Sequence, residues 1–312
     1  MIGALVGNAN PVLANTVESS RSLTVALLPI PDVLPFHLAE ENGYFTAEGI
    51  TVKALPVASA LDRDQLMQSG QLDAMLTELA TTANFNRNGV RVKIVCIARS
   101  PIAGSSLFRI LSAPGSGIIS ASELAGVPVA VSKNTVIEYV TDRLLTAKGL
   151  GPTEILKKSV PVIPERYQLL LQGQIKAATL PEPLASSAMA AGAGQIVEDS
   201  AYPQYSLSVI SFRMETLNKR SKVVRAFLRA WNRAVIEINA APDVHRPLLL
   251  KKIRVPDNVS ESFSIPRFPL NMVPDTDQWA DVMGWMISKG LLTKPLAYKD
   301  SVTSEFLPAN VK

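Results

Sequence analysis

The sequence has few of the side chains that carry out catalysis or bind metals. Among its 312 residues are one cysteine and two histidines. A single cysteine excludes a disulfide framework and a thiolate metal cluster. The motifs HExxH, GxSxG, the P-loop and GxGxxG are also missing, so the common zinc, serine-hydrolase and nucleotide sites are not indicated. We therefore expect no catalytic residues, no metal and no cofactor.

Long apolar runs and dense charge are missing as well. No run approaches the ~18 apolar residues of a membrane-spanning helix. The 31 Lys and Arg residues are scattered and form no basic run interleaved with aromatic residues, so we expect no nucleic-acid partner. The charged fraction of 19% suits a compact α/β protein with much buried sheet. A net charge of +4 is compatible with an anionic solute.

Three isolated features are interpreted from their neighbours. Residues 1–21 are mostly small and apolar, without a basic start, and are predicted to be an N-terminal tail or the remnant of a signal peptide. Cys96 lies in the apolar run VKIVCIA and is predicted to be a core residue. His37 begins the first predicted helix, where we expect packing or hydrogen bonding rather than base catalysis, because no nucleophile accompanies it.

Two stretches of the chain repeat one order of strands and helices. Both contain a helix that ends in glycine before the next strand, at Gly49 and Gly149, where a left-handed residue ends a helix well. The segment GQIKA at residues 173–177 also corresponds to GQLDA at residues 70–74. Alternating strands and helices favour mostly parallel sheets with right-handed crossovers. A Pro/Gly/Ser-rich break at residues 112–122 favours two lobes, with one continuous sheet as the alternative.

Beyond residue 200 the pattern changes. Residues 206–212 are predicted to form a strand, and residues 222–240 and 276–289 to form helices. Trp231 lies on the apolar stripe of the first helix, while Trp279 and Trp285 lie on the second. We expect all three indoles to serve packing rather than ligand binding.

Several segments together resemble a known family. They are LLPIPDVLPFHLAEENGYFTAEGITV at residues 27–52, GQLDAML at 70–76, SELAGVPVAVSKNT at 122–135 and LPEPLA at 180–185. Their order is similar to that of extracytoplasmic solute-binding proteins of ABC importers, in the group for nitrate, sulfonates, taurine and thiamine-pyrimidine precursors. ELAGV replaces the group's usual DLKGK, so no member's specificity transfers directly.

The resemblance implies an α/β fold of the type II periplasmic-binding-protein kind, with two similar doubly wound lobes joined by a hinge. Residues 22–108 and 206–312 would form lobe 1, and residues 109–205 would form lobe 2, inserted into it. Crossover strands near residues 107–111 and 206–212 would make the hinge. The solute would then lie between the lobes, at the carboxyl ends of both sheets.

The resemblance also implies a function without catalysis. The protein would capture a small polar organic solute, such as a sulfonate, nitrate, a carboxylate-like anion or a zwitterion, and deliver it to an ABC permease in the membrane. It would be a monomer and would act in the periplasm or another extracytoplasmic space after removal of a signal peptide. The alternatives are binding of a thiamine-pyrimidine precursor, an enzyme on the same fold, and a sensor without transport.

Candidate ligand contacts follow from loops at predicted strand ends. Arg99 is the cation best suited to bind an acidic group bidentately, and Arg166, at the start of a helix in lobe 2, is a weaker candidate. Glu182 is the acid matched by the family's Glu-Pro, and Phe36 and Tyr139 are aromatic rings that could stack on a solute. Helix capping or ion pairing is the alternative role for most of the polar ones. The full set is Asp32, Phe36, Ser59, Thr77, Glu78, Arg99, Ser100, Ser132, Asn134, Thr135, Tyr139 and Glu182.

Overall fold

A computed structural model describes residues 21–57 and 59–309, and in this part of the chain two five-stranded sheets are each flanked by helices. The strands are β1 Ser22–Leu27, β2 Thr51–Pro56, β3 Ala74–Thr77, β4 Val92–Arg99, β5 Phe108–Ser112, β6 Val129–Val131, β7 Lys157–Ser159, β8 Ala177–Pro181, β9 Gly194–Glu198 and β10 Ser208–Arg213. The predicted tail at residues 1–21 lies almost wholly outside the described residues.

The α-helices follow the strands in the alternation that the sequence predicts. They are α1 Leu34–Glu41, α2 Tyr44–Ala47, α3 Ala60–Gln68, α4 Leu79–Asn86, α5 Val136–Ala147, α6 Ile163–Leu171, α7 Leu184–Ala190, α8 Met214–Lys219, α9 Ser221–Ala240, α10 Arg246–Lys252, α11 Thr276–Ser288 and α12 Tyr298–Ser301. The two long C-terminal helices that the sequence predicts, α9 and α11, are confirmed to within one residue at each end. None of the helices in the described ranges is long and apolar enough to cross a membrane.

The two sheets share one topology and define two lobes. Lobe 1 carries the order β2-β1-β3-β10-β4, and lobe 2 carries β7-β6-β8-β5-β9. In each order the first three strands are parallel, and the fourth runs antiparallel to its neighbours: β10 in lobe 1 and β5 in lobe 2. Because β1 and β6 lie in different sheets, one continuous sheet is excluded and the two-lobed α/β fold is confirmed.

The antiparallel strand of each lobe is the strand by which the chain enters from the other lobe. Residues 100–107 connect β4 of lobe 1 to β5 of lobe 2, and residues 199–207 connect β9 of lobe 2 back to β10 of lobe 1. We call these two connections the hinge segments; the stretches predicted as the hinge, near residues 107–111 and 206–212, mostly form β5 and β10, the strands that follow them. The predicted lobe limit at residues 108/109 falls just after the first segment, the limit at 205/206 falls within the second, and both stay a prediction.

Glycines end the corresponding helices in both lobes. Gly49 and Gly149 have φ angles of +72° and +95°, which a residue with a Cβ adopts only at a cost. The next amide, of Ile50 or Leu150, donates to a carbonyl five residues earlier at 3.1 Å. These hydrogen bonds satisfy carbonyl groups that have no partner within the helix, and the chain turns there into the following segment.

The core of lobe 1 is closed by α9. Its Phe227 ring stacks on Phe45 at 5.4 Å between centroids, and Trp231 lies next to Phe227 at 6.2 Å. Cys96 is 3% exposed in the same core, as predicted. The burial of large aromatic rings supplies much of the hydrophobic free energy of this lobe.

Helix α11 lies between the lobes rather than on lobe 1 alone. It packs on α4 of lobe 1, while its Trp285 ring meets Tyr139 of lobe 2 at 5.5 Å. The Trp285 indole N–H donates to Asp142 of lobe 2 at 2.9 Å. Helix α11 therefore contacts both lobes, and the expectation that the segment beyond residue 200 returns to lobe 1 stays a prediction.

Candidate functional site

The carboxyl ends of the parallel strands define a candidate site in each lobe. In lobe 1, β3 ends at Thr77, and in lobe 2, β6 and β8 end at Val131 and Pro181. The predicted polar residues Glu78, Ser132 and Glu182 come next in the chain, where open α/β sheets bind ligands.

The two edges meet at a small cavity. It is lined by Leu79 and Ala80 of lobe 1, by Val136 and Tyr139 of lobe 2, and by Tyr205 of a hinge segment. Its volume is about 10 Å³, room for no more than about one water molecule. An organic solute needs more space, so the lobes are close together here. That Thr77, Arg99, Thr135 and Glu182 contact one common solute stays a prediction.

The predicted polar residues Ser59 and Glu78 of lobe 1 form hydrogen bonds or ion pairs within the protein. Ser59 caps α3 by accepting from the Asp62 amide at 3.1 Å. Glu78 accepts from the Thr77 hydroxyl at 3.3 Å and lies 3.5 Å from the guanidinium of the buried Arg63. Capping and ion pairing, the alternative roles foreseen for these residues, account for the contacts of Ser59 and Glu78.

Arg99 does not present a free guanidinium. Its Nη1 donates to Asp32 at 3.2 Å and its Nη2 donates to the Ser106 carbonyl at 2.6 Å, all within a buried cluster. Pairing with an acid, the alternative role foreseen for Arg99, accounts for its contact with Asp32, and its role as the cation for the solute's acid stays a prediction. Ser100, the next residue, is partly exposed at the start of the hinge segment.

The loop after β6 is held by its own hydrogen bonds. Thr135 caps α5 by accepting from the Ile137 amide at 3.2 Å, and its hydroxyl donates to the Ser132 carbonyl at 2.7 Å. Asn134 has φ of +61°, and its amide donates to the Glu138 carboxylate at 2.6 Å. The Asn134 side chain is exposed, so it remains available to a solute.

Glu182 is occupied by a neighbouring cation. Its carboxylate accepts from Arg109 Nε at 2.7 Å and from the Ser186 amide at 3.1 Å. Arg109 also pairs with Glu198 at 2.9 Å. A positively charged solute group would have to compete with Arg109 for Glu182, so Glu182 is a weaker candidate than the motif suggests.

Both aromatic residues predicted to stack on a solute are buried. Phe36 has no exposed surface and packs on Phe45 at 5.2 Å in the core of lobe 1. Tyr139 is 2% exposed, and its hydroxyl donates to Asp281 of α11 at 2.6 Å. Phe36 thus lies in the interior of lobe 1, whereas Tyr139 also lines the small cavity between the lobes, and stacking of either ring on a solute stays a prediction.

The burial of Arg166 was missed by the sequence analysis, and its role as a solute contact stays a prediction. This residue lies in the first turn of α6 and is fully buried, with Nη1 donating to the Val160 carbonyl at 2.7 Å and to Ser132 Oγ at 3.0 Å. Burial lowers its pKa to about 10. The signal was present, because Arg166 and the buried Leu170 are four residues apart and therefore share the inward face of the helix.

A buried acid joins the two hinge segments. Asp199 accepts from the amides of Leu107 and Phe108 at 3.0 and 2.9 Å and has no exposed surface. Burial raises its pKa to about 6, although these hydrogen bonds and the charge of Arg99 act in the opposite direction. The hinge therefore contains a carboxyl group that titrates in mildly acidic solution.

Cys96 and His37 are poorly placed for covalent or acid–base chemistry. Burial raises the pKa of Cys96 to about 12, so its thiolate is not populated at neutral pH. His37 packs edge-on against Phe36 at 5.6 Å, and burial lowers its pKa. Among the described residues, no group of three or more His, Cys, Asp and Glu side chains could hold a metal.

Comparison with known families gives the class of protein. The model of the NMT1/THI5-like family matches residues 30–244, more than two thirds of the chain. The chain belongs to this family. No curated protein sequence matches it at a significant level.

Solved structures with low sequence identity have the same fold. The periplasmic aliphatic sulphonate-binding protein SsuA from Escherichia coli superposes with a TM-score of 0.75 at 16% identity, covering 89% of this chain and 96% of that one. The alkanesulfonate-binding protein SsuA from Xanthomonas axonopodis pv. citri, bound to MOPS, gives 0.73 at 14%, covering 91% and 98%. The desulfurization enzyme DszB gives 0.63 at 18%, covering 91% and 97%. The chain therefore has the two-lobed periplasmic-binding-protein fold.

Proposed function

We propose that this protein is the substrate-binding component of an ABC importer and holds a small polar organic solute between its lobes. The observation that carries the proposal is the meeting of two polar strand edges across a hinge of two segments. Such an arrangement lets a solute favour the closed state through contacts with both lobes. Membership of the NMT1/THI5-like family and likeness to sulfonate-binding proteins of importers support it.

Partner and location follow from this proposal. The solute would be released to a permease in the membrane, and the protein would act as a monomer in the periplasm or another extracytoplasmic space. A sulfonate or carboxylate-like anion is the preferred solute class. A thiamine-pyrimidine precursor is the alternative and would require Glu182 to exchange Arg109 for the ligand.

An enzyme on the same fold is the competing function, since DszB shares the architecture. A mutant of DszB with serine in place of a cysteine has been solved in complex with biphenyl-2-sulfinic acid. In the present chain the one cysteine, Cys96, lies in a core strand with a raised pKa, which argues against thiolate chemistry here.

Thermal shift with a solute panel tests the proposal. Alkyl sulfonates, taurine, nitrate, aromatic carboxylates and aminopyrimidines would be added to the full chain. A binder gains about 2.7 kcal/mol at 100-fold excess over Kd by mass action. Mass spectrometry should return the bound solute unchanged. Conversion of a solute to a new compound without another protein would contradict a carrier function.

A further inference from the structure

The guanidinium of Arg166 lies at the carboxyl edge of the lobe-2 sheet. One of its hydrogen-bond acceptors, Ser132 Oγ, belongs to the first residue after β6, and the other, the Val160 carbonyl, belongs to the first residue after β7. Because β6 and β7 are parallel, both acceptors stand at the same carboxyl edge. Arg166 is thus a buried cation at the ligand-binding end of this sheet.

Arg166 uses only one of its nitrogens. Nη1 makes both hydrogen bonds, whereas Nε and Nη2 are buried and have no acceptor among the described residues. Nε and Nη2 lie on the same edge of the planar guanidinium, and their N–H bonds point in parallel. This edge fits two oxygens of one carboxylate or sulfonate group.

No acid of the described residues neutralises this cation. Arg166 makes no ion pair with any of them, and burial is the one cause of its lowered pKa. The buried acid of the preceding helix in the chain, Glu138, is already paired with Lys157 and Lys289, each at 3.4 Å. A buried charge without a partner is costly, so an anion that reached this edge would recover that free energy as binding.

We propose that the Nε–Nη2 edge of Arg166 binds the oxyanion head group, sulfonate or carboxylate, of the transported solute. The inference rests on the proposed carrier function and specifies its ligand class. Since the edge is buried, the lobes or the loops after β6 and β7 separate before the head group enters. The two parallel hydrogen bonds then fix the solute's orientation in lobe 2.

Calorimetric titration of the full chain tests the inference with anions and neutral compounds of similar size. The anions are ethanesulfonate, benzenesulfonate and benzoate, and the neutral compounds are ethyl methyl sulfone and benzamide. Arg166→Gln should weaken anion binding on the order of tenfold to a hundredfold, the effect of losing charged hydrogen bonds, and leave any neutral binding unchanged. Arg166→Lys should lose part of the affinity, because an ammonium cannot form the parallel pair.

Lys158→Gln is the matched control. Lys158 is exposed on β7 in the same lobe, so the substitution removes one positive charge without touching the edge. Its anion affinity should equal that of the wild type within experimental error. An equal loss in Lys158→Gln and Arg166→Gln would overturn the inference, since it would indicate a general charge effect.

The melting temperature of the free protein separates binding from a structural role. Arg166→Met should melt at the wild-type temperature or above it, because the substitution removes an unneutralised buried charge. A lower melting temperature together with wild-type anion affinity in Arg166→Gln would overturn the inference and leave the carrier proposal standing. Binding of neutral solutes without any anion would also overturn the inference and leave the carrier proposal standing. No binding of any panel solute would overturn both.

Discussion

The two lobes share a topology but differ in how their buried arginines are neutralised. In lobe 1, Arg63 lies 2.8 Å from Asp64 and 3.5 Å from Glu78, and Arg99 lies 3.2 Å from Asp32. In lobe 2, Arg166 has hydrogen-bond acceptors but no acid among the described residues. The buried arginines of lobe 1 are thus paired with acids without a solute, whereas the buried arginine of lobe 2 is not. A repeated architecture therefore does not imply a repeated role in recognition.

Removing the acid that pairs with Arg99 in lobe 1 should have the largest effect. Asp32→Asn leaves Arg99 buried without its closest carboxylate, and we expect a loss of roughly 3 kcal/mol in the free energy of unfolding. Urea denaturation at pH 7 measures it. The double variant Asp32→Asn/Arg99→Met should recover most of the loss, since it removes both charges. A single-variant loss below about 1 kcal/mol would mean that the lobes are not different in this respect.

Titration of the hinge should have the next largest effect. Burial raises the pKa of Asp199 from its ordinary value of 3.8 to about 6 in the folded protein, although the charge of Arg99 acts in the opposite direction. The folded protein therefore binds more protons between these values, so the free energy of unfolding should fall as pH rises from about 4 to about 6, by on the order of 2 kcal/mol.

Urea denaturation at a series of pH values measures this contribution as a difference between two profiles. Asp199→Asn should lack the fall that the wild type shows, while Glu261→Gln, at an exposed carboxylate, should keep it. Parallel profiles for wild type and Asp199→Asn would refute the assignment of this pH dependence to Asp199.

Placing an acid beside Arg166 in lobe 2 should have the smallest effect. Ser132→Asp places a carboxylate near Arg166, whose Nη1 lies 3.0 Å from Ser132 Oγ. The free protein should gain about 1 kcal/mol, and anion affinity should fall by about tenfold, because the internal acid competes with the solute. Calorimetry and urea denaturation measure both quantities. Ser159→Asp, exposed on β7, is the control, and an equal effect there would contradict the competition.

Most of the fold could be predicted because its signals are local. Gly49 and Gly149 end corresponding helices, and the alternation of strands and helices requires no knowledge of distant contacts. The placement of α11 could not be predicted in this way. Its apolar face indicates that it is covered, but spacing alone does not say whether lobe 1, lobe 2 or both cover it.

The candidate site was harder to predict because its electrostatics depend on distant pairs. Arg99 meets Asp32 across 67 positions of the chain, and nothing in the loop around Arg99 indicates this partner. Arg166, by contrast, had a local signal in its position on the buried face of α6. A charged residue at an inward helical position identifies a buried charge, but only the folded structure reveals whether an acid accompanies it.

The position of α11 has an optical consequence. Of the three tryptophans, Trp231 is enclosed in the core of lobe 1, while Trp279 and Trp285 lie on α11. Trp285 donates its indole N–H to Asp142 of lobe 2 and is 2% exposed. Movement of lobe 2 away from α11 would hydrate this indole and shift its emission to longer wavelengths, over the emission of Trp231 and Trp279. Trp285 is thus an intrinsic fluorescence probe of lobe movement, and no attached dye is needed.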